Sequence, residues 1–170
     1  MKYMLFIWLL LTGCTNHQQR IKVDLYLTEN PSVKVGDVWF KDTGNGLLIE
    51  VKLEGLPQGE HGFYVYEYPD CSSVENVNGK IDFALRVGGY FDSDKIGKHL
   101  GPKGSSYLGN LPYLSVDENG KVRRSFYLKN INAQSFKNRS LIIHMGGDNY
   151  KDTPLFLGAG GKRIACGVVK

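Results

Sequence analysis

Ile21, Val23, Leu25 and Leu27 alternate with Lys22, Asp24, Tyr26 and Thr28. A period of two places one set on each face of an extended strand, so the segment can bury one side only. Comparable short runs recur over 33–40, 47–53, 63–66, 113–116, 122–128, 141–144 and 163–169. DTGNG separates the second run from the third and DENG the fifth from the sixth, both turn sequences. No stretch carries a helical apolar stripe. Eight short strands with Gly-rich turns predict an all-β domain, either a β-sandwich or a closed β-barrel.

Between residues 69 and 112 the alternation largely stops, and Gly, Ser, Asp and Lys dominate. A connection this long inside a compact domain points to a functional loop. VENVNGK and KNINAQSFKNRS read as turn-forming surface loops, and no charge run exceeds what a solvated face carries.

Residues 1–13 combine Lys2, an apolar run and small residues before Cys14. That run is too short to span a bilayer and reads as an export signal. LTGC has the form of a bacterial lipobox, which predicts acylation of Cys14, a polar tether over 14–19 and a domain over 20–170. Thr15 after the acylated cysteine, where Asp would argue otherwise, directs the expectation to the periplasmic side of a Gram-negative outer membrane. With Cys14 used, Cys71 and Cys166 remain of the three cysteines and can pair in an oxidising compartment. Cleavage removes Lys2 and lowers the formal net charge of +4 by one. No basic stripe with interleaved aromatics follows, which argues against nucleic acid as a partner.

EHGFYVYEYPDC places Tyr64 and Tyr66 at alternate positions near His61. Together with GGYFD, GKHLGPKGSSYLGNLPYL, IIHMGGDNYKDTPL and GAGGKRIACGVV, in that order, this block resembles the bacterial periplasmic copper/zinc superoxide dismutases. The resemblance covers about Val23 to Val169. It implies an eight-stranded Greek-key β-barrel of sandwich architecture with long loops, and a disulfide between Cys71 and Cys166. Many members dimerise, so a homodimer is one partner the resemblance leaves open.

The family holds copper with four histidines and zinc with three histidines and an aspartate, one histidine being shared. Carried over, the copper positions fall on Tyr64, Tyr66, the bridging Tyr90 and His144. Those of zinc fall on Tyr90, His99, Tyr107 and Asn110. Five of seven positions are altered. An imidazole offers a ready lone pair, whereas a phenol must first lose a proton whose pKa lies about 3 units above neutrality, a cost of roughly 4 kcal/mol. Arg163 matches the arginine that guides the anionic substrate, and Asp148 the carboxylate linking the two metal sites. With Tyr64 and Tyr107 read as its linked positions, Asp148 is expected to have lost its targets. His61 matches a buried structural histidine.

The resemblance therefore implies a degenerate member: an envelope lipoprotein without copper or zinc, a pseudoenzyme acting as a binding or structural module. The membrane, through Cys14, and an envelope protein are its expected partners. Tyr64, Tyr66, Tyr90 and Tyr107 would either fill the vacated cavity or form an aromatic binding patch. The alternative is a residual or atypical metal-dependent dismutase, turning superoxide into oxygen and hydrogen peroxide with Cu or Zn held by His99, His144 and water or tyrosinate.

Overall fold

The computed structural model describes residues 20–102, 108–152 and 160–170; the 1–13 leader, the 14–19 tether with Cys14, and Tyr107 lie outside the described residues. The strands are β1 (Arg20–Leu27), β2 (Lys34–Thr43), β3 (Gly46–Glu54), β4 (Gly59–His61), β5 (Phe63–Tyr66), β6 (Val74–Glu75), β7 (Ile81–Asp82), β8 (Leu114–Val116), β9 (Lys121–Leu128), β10 (Arg139–His144) and β11 (Arg163–Val169). Each run singled out by alternation coincides with one of them.

Seven strands form one antiparallel sheet in the order β5-β10-β11-β1-β2-β3-β9. The sheet curls on itself. β4, which leads into β5 through Gly62, pairs with β8, and β8 packs beside β9 to bring the two edges together. The alternating apolar residues supply the interior: Val23, Leu25, Val38, Phe40, Leu47, Ile49, Phe63, Val65, Leu141 and Ile143 are fully buried. Each such side chain contributes on the order of 1.5–3 kcal/mol of transfer free energy. Register shifts between Leu25 and Tyr26, opposite Gly36 and Lys34. At Gly36 φ is +138°, and a Cβ would stand 2.2 Å from the Lys52 carbonyl oxygen, so only glycine fits this bend.

Of the two surface-loop expectations, that for KNINAQSFKNRS is corrected and that for VENVNGK holds. Asn132 caps a 3-10 turn over Ala133–Phe136 by accepting the Ser135 N–H, and this turn drives Phe136 fully into the core, 5.5 Å from Phe40. In the VENVNGK region, β6 and β7 form a small hairpin closed by hydrogen bonds to Asn76.

The outer faces of the two halves of the sheet differ. Residues 67–102 and 108–112 cover the outer side of β5, where all four residues are buried. They are hydrogen-bonded along the free edge of that strand: Val65 N–H donates to Gly109, Phe91 N–H to Val65 and Glu67 N–H to Gly89. A Cβ on Gly109 would sit 2.3 Å from the Val65 carbonyl oxygen, so the close approach requires glycine there. A disulfide from Cys71 to Cys166 on β11, with 5.9 Å between Cα atoms, fastens the same segment. The outward positions of β1, β2, β3 and β9 are instead polar or aromatic apart from Leu48, and half-buried to exposed.

Candidate functional site

Phe63 and Val65 face the barrel interior, so the strand period turns Tyr64 and Tyr66 outward beneath the long segment. Local bridges from Tyr64 to Asn110 and from Tyr66 to Tyr90 draw that segment over them. The ring of Tyr64 lies 4.7 Å from that of Tyr90, 5.8 Å from His99 and 5.2 Å from His144. Tyr66 lies 4.9 Å from Tyr90 and 6.0 Å from His144, while Tyr90 stacks on His99 at 5.7 Å. The six carried-over ligand positions that lie among the described residues thus gather in one place.

His144 is held from both ring nitrogens. Nδ1 lies 3.0 Å from the Gly161 carbonyl oxygen, which can only accept, so Nδ1 carries the proton. Nε2 then holds the lone pair, and the Tyr66 hydroxyl donates to it at 2.9 Å. Burial pushes the His144 pKa down to about 4, with the Arg163 charge adding to the decrease, so the ring is neutral at physiological pH.

The phenols are held protonated. Burial, then the neighbouring Tyr90 and Asp148, raises the pKa of Tyr64 well above its ordinary value. Burial, then Tyr66, does the same for Tyr90. At Tyr66 burial outweighs the lowering effect of Arg163. Among the described residues the Tyr64 hydroxyl has no partner within hydrogen-bond distance. The donor set therefore does not suit a copper or zinc centre: the lone pair of His144 is engaged, and each phenol would need to shed a proton that its surroundings retain. Among the described residues no three His, Cys, Asp or Glu side chains cluster as ligands.

Asp148 retains a target, contrary to the expectation for it. His99 Nε2 approaches Asp148 Oδ1 at 2.7 Å with both side chains fully excluded from solvent, and the Tyr150 N–H donates to the same oxygen at 2.7 Å. His99 N–H donates in turn to the Asp152 carboxylate. Folding keeps the carboxylate beside Tyr64, one of its two expected positions, and pairs it with His99, which lies 49 residues away. His61 behaves as expected: it is 1% exposed, and its nitrogens face the carbonyl oxygens of His144 and Pro57, both at 2.8 Å.

Tyr64 and Tyr66 do not form an exposed patch, while Tyr90 is half-buried. Tyr64 is 0% and Tyr66 3% exposed, because residues 67–102, 108–112 and 160–163 close over them. What opens to solvent is a cavity of about 270 Å³ lined by Tyr66, Tyr90, His144, Arg163 and the glycine pairs 88–89 and 160–161. The Arg163 guanidinium stands 5.1 Å over the Tyr66 ring. A Cβ at Gly160 would come within 2.6 Å of His144 Nδ1, so the second pair lets the chain lie directly on that ring. The sequence reading missed this glycine lining, although both pairs stand in the quoted blocks GGYFD and GAGGKRIACGVV.

Comparison with known proteins agrees with this geometry. The profile of the copper/zinc superoxide dismutase family matches residues 34–169. The superoxide dismutase [Cu-Zn] of Brucella abortus is 41% identical over 151 residues, covering 88% of this chain and 87% of that protein. That of Escherichia coli K12 is 35% identical over 160 residues, covering 94% and 92%. The solved structure of the Brucella abortus enzyme superposes with a TM-score of 0.82 at 40% identity over 89% of this chain and all of that one. With the barrel and the disulfide in place beside these matches, this chain belongs to the copper/zinc superoxide dismutase family.

Proposed function

We propose that this protein keeps the dismutase scaffold without its metal chemistry and serves as a lipid-anchored binding or structural module on the periplasmic side of the outer membrane. One observation carries the loss of chemistry: the Tyr66 hydroxyl donates to His144 Nε2, the nitrogen whose lone pair a metal would have to take. The two histidines at former ligand positions are committed elsewhere, His144 to Tyr66 and His99 to Asp148. The LTGC sequence supports the anchor, and the disulfide suits an oxidising compartment.

Metal analysis of protein purified without chelator, paired with a superoxide assay before and after copper loading, tests the reading. The expected result is far less than one copper or zinc per chain, with no dismutation above free metal. Stoichiometric copper with activity would establish the alternative, a working atypical dismutase in which Tyr66 leaves His144.

A further inference from the structure

We infer that the bare outer face of β1, β2, β3 and β9 rests on the bilayer surface that holds the Cys14 anchor. This rests on the lipoprotein reading and adds to it an orientation and a contact surface. Cross-strand register places Arg20, Lys41, Leu48 and Tyr127 in one outward row and Lys22, Trp39, Glu50 and Ser125 in the next. Tyr127 is 60% exposed. Trp39 and Leu48 are half-buried, and Arg20 and Lys22 stand 5.3 and 5.9 Å over the Trp39 ring. Aromatic rings flanked by cations are the composition of a surface that settles at the headgroup level of a membrane.

Charge and chain length favour the bilayer over other occupants. Most acids on this face are engaged: Lys22 and Lys34 hold Asp24, Lys22 also reaches Asp37, and Lys41 holds Glu50, while Glu54 stands opposite Lys121 in the strand register. Arg20, Lys52 and Arg123 add positive charge to it. Five residues lie between Cys14 and Arg20, and the six steps from one to the other reach at most about 20 Å when fully extended. Arg20 is the first residue of β1 and belongs to the row with Leu48 and Tyr127, so an anchor in the membrane keeps this row close to the headgroups. A short tether also raises the effective concentration of the second contact, so a weak patch is sufficient. The cavity at His144 and Arg163 belongs to the other half of the sheet and is left facing the aqueous side.

The sequence supplies its own reporter. Its two tryptophans are Trp8, in the leader, and Trp39, so a Trp8→Phe background makes Trp39 unique whether or not the leader is removed. The full chain in this background is reconstituted into vesicles of phosphatidylcholine with and without phosphatidylglycerol. With phosphatidylglycerol present, Trp39 emission should shift to the blue, be quenched by brominated phosphatidylglycerol and lose its accessibility to acrylamide. High salt, the Arg20→Glu/Lys22→Glu pair and Tyr127→Ser should each remove most of that shielding, with circular dichroism unchanged. Equal acrylamide access with and without vesicles overturns the inference, as does shielding that the charge reversal leaves intact. So does shielding that develops without lipid as protein concentration rises, which would assign the face to a second copy. The anchor is tested separately by detergent phase partition of Cys14→Ser. If that change has no effect, the lipoprotein reading fails; the vesicle arm is then run on the unanchored chain with lipid in excess, where shielding sustains the face as a membrane contact and its absence overturns it.

Discussion

The hydroxyl of Tyr66, 2.9 Å from His144 Nε2, uses the lone pair that a metal ion would need. Replacing it by Tyr66→Phe keeps the ring and leaves a buried nitrogen without its donor, which should cost about 1–3 kcal/mol of stability in urea unfolding. An unchanged midpoint would mean that the bond contributes nothing. The same histidine makes stability depend on pH. Its pKa is about 4 in the folded chain against an ordinary value of 6.5, so between these limits the unfolded chain binds more protons. Its contribution is therefore fully present above pH 6.5 and is lost as pH falls towards 4. The size of the shift corresponds to roughly 2–4 kcal/mol. Urea titrations across this window should show the decline, and His144→Gln should flatten it; an equally steep decline in the variant would assign the proton uptake to another group.

At the scale of elements, what organises the cavity is the 67–112 segment and its fastenings. It is tied by backbone bonds along β5, by Arg139 donating to the Glu67 carbonyl at 2.6 Å, by Ser140 donating to the Tyr68 carbonyl at 2.6 Å, and by the disulfide. The Cys71→Ser/Cys166→Ser pair opens a loop of 95 residues and should lower stability by about 3–5 kcal/mol, with proteolysis starting inside 67–112. If the barrel strands are cut first, the segment is held by its hydrogen bonds alone. How much of this was legible follows from the period of each element. β1 and β3 keep a period of two in burial because one face is bare, so their strand character is visible residue by residue, whereas Gly36 interrupts the period in β2 and Arg124 the apolar alternation of β9. β5 does not announce its tyrosine face as buried, since what buries it comes from a distant segment. Phe136 was read as part of a surface loop for a related reason: a single 3-10 turn carries one apolar residue inward and shows no period. The ligand positions could be located by resemblance, but the partner of Asp148 could not, because a contact across 49 residues depends on where the loops close.

On the scale of the molecule, the barrel presents one face covered by a fastened loop and one bare face, and the covered face gathers three phenols around His99 and His144. The rings of Tyr64, Tyr66 and Tyr90 lie within about 6 Å of one another or of His144, so their positions still converge. If only the donor atoms are wrong, restoring them should restore binding. The triple variant Tyr64→His/Tyr66→His/Tyr90→His presents, with His144, the four imidazoles that the family uses for copper. It also removes three large aromatic groups from a packed cluster and exposes the remaining polar atoms to imperfect pairing. Without copper it should therefore unfold at a lower temperature than the parent. With free copper at a hundredfold excess over Kd, binding should return about 2.7 kcal/mol to the folded state. Tyr66→His alone should gain much less, because Tyr64 and Tyr90 stay protonated on either side of it. Thermal unfolding with and without copper, beside direct metal analysis, separates these cases. If the parent chain gains as much from copper as the triple variant, tyrosine is no obstacle and the cavity was never disarmed. If the triple variant gains nothing, the scaffold itself has shifted, and the loss lies in the backbone that positions the rings.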